Sequence, residues 1–348
     1  DKEKLAVQTG RMKIALVMHI YFEDLLESSY RYVSSMPEET DVYITTDTET
    51  KKKAIEKVFS PLPCRKLEIR VIENRGRDVS SLLVGVKDVI MQYDLVCFVH
   101  DKKSAQISPE TVGASFAYKC FENTLSNRTY VTNVINTFAE NPRLGLLAPP
   151  VPNHSTFFTT VGFEWGPNFK VTKQLAEKIG LTVPMSKKVP PIAPLGTMFW
   201  FRPCAMERLY AQDWNYQDFP KEPNKIDGTL LHAIERIYPF VVQEAGYYAA
   251  YGMTDKFAAI EYNNLYYYVR GYNQVSVKFG IGPFYNQMLE RIDDILGHQG
   301  SFKRVIKYRL KQDLKRIIPE KIYLRCKKIW KKMRKSQNYN SVRVKGEE

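Results

Sequence analysis

"VCFVHDKKS", residues 96–104, runs from apolar residues straight into His100, Asp101, Lys102, Lys103 and Ser104. A short apolar run that ends abruptly in charge has the pattern of an inner strand of an α/β sheet, and such sheets bind ligands outside the carboxyl ends of their strands. Taken alone, the same five residues read equally as a solvated turn, because charge at a strand end is commonly plain surface. The surrounding pattern decides between the two.

Upstream, strand-like and helix-like stretches alternate. "KIALVMHIY" (13–21), "DVYITTD" (41–47) and "LEIRVIEN" (67–74) read as strands, and "DLLESSYRYVSSM" (24–36), "TETKKKAIEKVF" (48–59) and "SSLLVGVKDVIMQY" (80–93) read as helices leading to the fourth strand, "DLVCFVH" (94–100). This βαβαβαβ order implies an α/β fold with a mostly parallel sheet flanked by helices and right-handed crossovers. Downstream come "LGLLAPP" (144–150), "GTMFWFRP" (196–203) and "DGTLLHAIERIY" (227–238). The last has Asp227 at an N-cap position and Leu230, Leu231, Ile234 and Ile237 on one face.

The 348 residues, 44% hydrophobic and 13% aromatic, describe a globular protein rather than a disordered one. Five cysteines, at 64, 97, 120, 204 and 326, form no CxxC pair, so neither a disulfide framework nor a zinc cluster is expected. A reducing cytosol fits that usage. The apolar runs are too interrupted for a membrane span, and "DKEKLAVQTG" is no signal peptide. The first residue is Asp, as in a piece of a longer protein.

The net charge of +13 resides in one place. Residues 301–335 hold 15 Lys or Arg against 2 acidic residues, which leaves 36 of each sign elsewhere. In that tail Phe302, Val305, Ile306, Leu310, Leu314 and Ile317 recur at helical spacing, Pro319 interrupts, and Ile322, Tyr323, Cys326, Ile329, Trp330 and Met333 resume. Two basic amphipathic helices of this kind suit an anionic membrane surface, each basic residue adding about 1 kcal/mol. The bland alternative is a helix packed on the main body with a basic outer face. A neutral body without nucleic-acid motifs argues against a nucleic-acid partner. Residues 336–348 are expected to be disordered.

Four strand ends share one rim of the sheet: "MHIYF", "TTD", "ENRGRD" and "HDKKS". In the third, Asn74 to Asp78, Gly76 permits a tight turn, Arg75 and Arg77 suit an oxyanion, and Asp78 can cap the next helix. That combination fits a diphosphate. Trp200 and Arg202 in "TMFWFRP", and His154 in "NHSTFFTTVGFEWGPNF", stand in aromatic stretches, a composition suited to sugar faces or equally to a core. "EYNNLYYYVRGYNQ" (261–274) either lines a glycan groove or covers the sheet.

Five stretches taken together resemble the rhamnan synthesis protein F family of bacterial polysaccharide glycosyltransferases: "NRGRDVSSLL", "HDKKS", "LGLLAPP", "GTMFWFRPCAMERL" and "DGTLLHAIERI". The resemblance covers about residues 12–275. It implies a glycosyltransferase A-like domain over 1–300, with a nucleotide-sugar half (about 12–150) and an acceptor half (151–300). It further implies an inverting transfer of L-rhamnose from dTDP-rhamnose to a lipid-linked cell-wall or surface polysaccharide at the inner face of the plasma membrane. On that basis His19, Tyr21, Thr45, Thr46 and Asp47 hold the base and ribose, Asn74, Arg75, Gly76, Arg77 and Asp78 continue along the nucleotide, and His100 to Ser104 meet the diphosphate. Folds of this type carry an Asp-x-Asp metal motif after the fourth strand, whereas this chain reads His100, Asp101, Lys102. Either Asp101, helped by His100, holds Mg²⁺ or Mn²⁺ loosely with phosphate oxygens and water completing the shell, or Lys102 and Lys103 replace the cation. Asp227 is implied as the general base, with His232 beside it. The rival class is a non-catalytic nucleotide- or glycan-binding module that keeps the fold, and the missing Asp-x-Asp is its argument.

Overall fold

The computed structural model describes residues 12–103, 110–152, 160–225 and 227–278. The chain divides into two compact units, residues 1–267 and 268–348. The expected tail over 301–335 and the expected disorder over 336–348 lie outside the described residues.

Among the described residues seven strands form one sheet: β1 (Ile14–His19), β2 (Asp41–Thr46), β3 (Lys66–Val71), β4 (Leu95–His100), β5 (Leu144–Ala148), β6 (Phe199–Phe201) and β7 (Tyr248–Tyr251), in the order β3-β2-β1-β4-β6-β5-β7. All run parallel except β6, which is antiparallel to both β4 and β5. The α/β class with a mostly parallel sheet is therefore as expected. A strand from beyond residue 150 lies between two from before it, so the two expected halves share a single sheet.

The inner strands β1, β2 and β4 are buried along their whole length because both faces are covered, and their alternation sorts side chains into two cores. Ala15, Val17, Tyr43, Val96, Phe98, Phe199 and Phe201 face one way. Against them pack Leu231, Ile234, Ile237, Tyr238 and Val241 of a long helix. Leu16, Met18, Val42, Ile44, Cys97, Val99 and Trp200 face the other way, against helices carrying Tyr32, Ile55, Phe59, Val131, Ile135 and Phe138. β3 is an edge strand, and its Lys66, Glu68 and Arg70 keep that edge charged.

The helices are α1 (Leu26–Val33), α2 (Glu49–Phe59), α3 (Arg77–Ser80), α4 (Lys87–Ile90), α5 (Glu110–Glu122), α6 (Arg128–Glu140), α7 (Phe169–Lys178), α8 (Glu207–Tyr210), α9 (Leu230–Glu244) and α10 (Asp255–Lys278). Thr48 caps α2 by accepting from Lys51 N at 3.2 Å, and Asn127 caps α6 by accepting from Tyr130 N at 3.1 Å. Two local expectations differ from the structure. The helix expected over 80–93 is broken into α3, a wider π-type turn at Ser81–Gly85, and α4. Arg70 Nη1 donates to the Gly85 carbonyl at 2.9 Å, holding an oxygen that the interrupted ladder does not use. Asp227 is also no N-cap, since Thr229 occupies that place and α9 starts one residue later. The tyrosine-rich stretch forms much of α10, with Tyr262 and Tyr266 exposed.

Candidate functional site

The carboxyl rim of β1, β2 and β4 assembles the site. His19 ends β1, and its Nδ1 is hydrogen-bonded to Thr45 Oγ1 at 2.9 Å; that hydroxyl meets Ser81 Oγ at 2.7 Å. Burial holds the His19 ring down at about 4, against the opposing pull of the Asp78 carboxylate, so the ring is neutral at neutral pH. One step along β4, Asp101 accepts from Tyr21 N at 2.9 Å and Phe22 N at 2.5 Å through Oδ2. Burial pushes its carboxyl up to about 6 despite those two donors. Asp101 thus moors the loop after β1. His100 does the same for another loop, with Nε2 2.8 Å from the Gly196 carbonyl and Nδ1 2.7 Å from its neighbour's.

His19 and Asp101 give opposite pH dependences. Asp101 is raised from 3.8 to about 6, so folding favours its proton and acidification through that window adds stability, about 3 kcal/mol at 1.36 kcal/mol per unit. His19 is lowered from 6.5 to about 4, so its unfolded form takes the proton first and acidification through that window removes a comparable amount. The two nearly cancel. Asp101→Asn deletes one arm, and urea unfolding from pH 7 to pH 4 should show the parent gaining on the variant by about 2 kcal/mol as pH falls. A difference that stays flat across that range would show that the Asp101 carboxyl is not displaced.

The 74–78 turn is built as a clamp. Gly76 and Arg77 both have positive φ, +83° and +52°. A Cβ on Gly76 would stand 2.7 Å from Phe219 Cγ. Arg75 donates to the carbonyls of Phe219 at 2.7 Å and Gln217 at 2.9 Å, while Arg77 pairs with both oxygens of Glu222 at 2.7 and 3.0 Å. Both guanidiniums expected to meet an oxyanion are spent on the 215–225 loop. Asn74 donates to Asp47 Oδ2 at 3.3 Å, and Lys51 reaches Asp47 Oδ1 at 2.7 Å while lying over the Tyr21 ring. The buried Thr46 Oγ1 and Asp78 Oδ2 have no hydrogen-bond partner among the described residues.

Lys102 and Lys103 also have partners. Lys102 Nζ lies 4.5 Å from the centre of the Phe116 ring, and Lys103 pairs with Asp24 beside Phe22. Among the described residues no three His, Cys, Asp or Glu side chains gather as metal ligands, and Asp101 already holds two backbone donors, so these side chains do not form a cation cage. Ser104 and His154 lie outside the described residues.

Asp227 stands in the turn before α9. Its Oδ1 accepts from Asn168 Nδ2 at 2.7 Å and from Gly228 N at 2.8 Å, while Asn168 Oδ1 takes Gly228 N at 3.1 Å. Asn168 is fully buried, so the carboxylate is gripped from below by one oxygen and remains 43% exposed. His232 Nδ1 lies 4.0 Å from Asp227 Oδ1 and bonds Thr229 Oγ1 at 2.8 Å.

Trp200 and Arg202 are placed away from this rim. Trp200 is 1% exposed, and its indole donates to the Thr124 carbonyl at 2.9 Å. Arg202 follows the antiparallel strand to the opposite rim of the sheet, at the amino ends of β4 and β5, where it donates to the carbonyls of Leu144 and Phe138. Glu235 was missed in the sequence. It accepts from Gly196 N at 2.7 Å and pairs with Arg236 at 2.7 Å, tying α9 to the residue that His100 holds. Asn168 was missed as well, since a single Asn at a helix start has no pattern to mark it.

A family model described as Rhamnan synthesis protein F matches residues 2–247. Two proteins named Uncharacterized protein WxcX, from two strains of Xanthomonas campestris pv. campestris, are each 28% identical over 238 residues, covering 67% of this chain and 32% of theirs. The chain therefore spans about a third of the length of these relatives. The crystal structure of mouse xyloside xylosyltransferase 1 in its apo form aligns over 70% of this chain and 85% of its own, at 9% identity and a TM-score of 0.35. Since the family match takes in every strand but the last and the loops after β1, β2, β3 and β4, the chain belongs to the rhamnan synthesis protein F family.

Proposed function

We propose that this chain is a glycosyltransferase of polysaccharide synthesis that moves L-rhamnose from dTDP-rhamnose onto a lipid-linked glycan. The observation that carries the reading is the family match over the same residues that build the β1–β4 rim. In the proposed step the Asp227 carboxylate takes the proton of the acceptor hydroxyl. The acceptor oxygen bonds to the anomeric carbon from the face opposite the leaving group, and the bond from that carbon to the phosphate oxygen breaks, its electron pair departing with the nucleoside diphosphate. Configuration inverts.

The departing charge needs cations. Lys103 leaves an exposed ion pair with Asp24, which high dielectric makes weak, and Lys102 leaves the Phe116 ring. Both reorient cheaply toward a diphosphate. If Mg²⁺ or Mn²⁺ takes part, donor phosphates and water supply most of its shell with Asp101 as the protein ligand, and no step here depends on it. The second reading, a non-catalytic nucleotide- or glycan-binding module, is favoured by the absence of a metal-ligand cluster among the described residues.

The test is a thermal-shift titration with dTDP-rhamnose, with and without Mn²⁺, followed by analysis for transferred sugar. A donor at about 100 times its Kd should add about 2.7 kcal/mol. Stabilisation without transfer to any acceptor would select the binding module; neither effect would end both readings. Membrane attachment through 301–335 belongs to the same proposal, and no helix among the described residues is long and apolar enough to cross a membrane. Removing residues 301–348 should abolish co-sedimentation with anionic vesicles, and undiminished co-sedimentation would sink that role.

A further inference from the structure

A groove of about 700 Å³ lies between α6 and the turn that leads from β7 into α10. Its floor is apolar, formed by Val134, Leu147, Tyr251 and Met253. Thr129, Asn133 and Thr137 form its wall at successive turns of α6, and Asn127 and Asp255 stand at its ends. Residues four apart lie on one helix face about 6 Å from each other, so the wall is a regular ladder of hydroxyl and amide groups. The side chains of Thr129 and Asn133 make no hydrogen bond within the described residues and are exposed to whatever fills the groove.

The electrostatics restrict the ligand. Among the described residues no Lys or Arg lines the groove, and Asp255 is the one acidic side chain there. A nucleotide, a phosphate or an anionic headgroup would lose its hydration there without gaining a counter-charge. A neutral saccharide fits both surfaces, with ring carbons and any 6-methyl on the apolar floor and hydroxyls against Asn and Thr.

Position gives the groove its role. Leu147 and Tyr251 stand at the carboxyl ends of β5 and β7, the same rim on which His100 ends β4 and Asp101 follows it. β5 is two strands from β4 and β7 is three, so at about 4.8 Å per strand the groove begins about 10–15 Å from that rim site. That distance is too long for the reacting hydroxyl and suits a sugar some units behind it. We propose that this groove is a saccharide-binding subsite that holds the growing glycan behind its reacting end. The proposal rests on the glycosyltransferase reading for its purpose, though not for its chemistry.

The experiment titrates the full chain with short and long neutral L-rhamnose oligosaccharides and compares it with Asn133→Trp, whose exposed position on α6 lets the indole fill the groove without entering the core. The parent should bind the long oligosaccharide at least about tenfold more tightly than the short one, and the variant should bind the two alike. Equal affinities in the parent, or a length preference that survives in the variant, would overturn the subsite. Donor titration and transfer by the parent are read separately. Groove binding without donor binding leaves the subsite standing and removes the transferase, whereas transfer indifferent to acceptor length does the reverse.

Discussion

Replacing Asp227 with Asn should lower the turnover of sugar transfer by about 10²- to 10⁴-fold, the range that general-base catalysis contributes, while leaving the fold intact. The separation of the two effects comes from how the side chain is held. Asn168 Nδ2 and Gly228 N both point at Oδ1, and an asparagine oxygen in that place accepts both bonds. The new amide nitrogen then takes the position of Oδ2, where the proton would have gone. Since Thr229 rather than Asp227 is the N-cap of α9, no helix-capping energy is at stake. Unfolding should shift by a few tenths of a kcal/mol, within the usual range for an exposed substitution. Donor affinity should persist, because the β1–β4 loops do not depend on this turn. Transfer at a near-normal rate would reduce Asp227 to a turn-stabilising residue. The carboxylates nearby offer poor substitutes: Glu222 is bound bidentately by Arg77, and Asp218 closes a capping box by accepting from Asn215 N at 2.9 Å.

The sequence is most legible where one periodicity governs many residues. Strands β1 and β4 are apolar runs up to their last residue because both faces are covered, and α9 shows its apolar stripe plainly. β7, "YAAY", is too short and weakly apolar to stand out, and it forms because the β5 backbone beside it offers a ladder. In the site, the strand-end loops were found because topology alone brings them to one rim. What their side chains do was not legible. Arg75, Arg77, Lys102 and Lys103 all carry the charge of an anion ligand, yet the 215–225 loop far along the chain holds Arg75 and Arg77, while Lys102 over Phe116 and Lys103 beside Asp24 make only contacts that exchange cheaply. Charge type can be read from sequence, whereas the identity of a partner 145 positions away cannot. Trp200 failed for a related reason, since sugar platforms and core aromatics have the same composition, and its place on a central strand settles the matter.

Gly76→Ala should be the most damaging single substitution at the rim for stability. Two penalties coincide there. At φ +83° an added Cβ crowds its own backbone, at about 1–2 kcal/mol. That Cβ would also stand 2.7 and 2.8 Å from Phe219 Cγ and Cβ and 2.8 Å from Ser80 Cβ, and overpacking of this kind adds about 1–3 kcal/mol. Phe219 has little room to retreat, being buried against Trp214 and held through its carbonyl by Arg75. A total of about 3 kcal/mol is expected from denaturant unfolding, a large fraction of the stability of an ordinary domain. The functional consequence follows from what the turn carries. Asp78 and Arg77 move with Gly76, Arg77 draws on Glu222, and the 215–225 loop leads into the turn of Asp227. Donor binding and transfer should therefore fall together, unlike the Asp227 variant, which loses transfer alone. A Gly85→Ala control tests the assignment to crowding, because there φ is ordinary and the nearest atom to an added Cβ is Ile72 Cγ2 at 3.3 Å, a side-chain end that can give way. If the two alanine variants unfold at the same denaturant concentration, the clamp between the 74–78 turn and Phe219 does not hold the rim together.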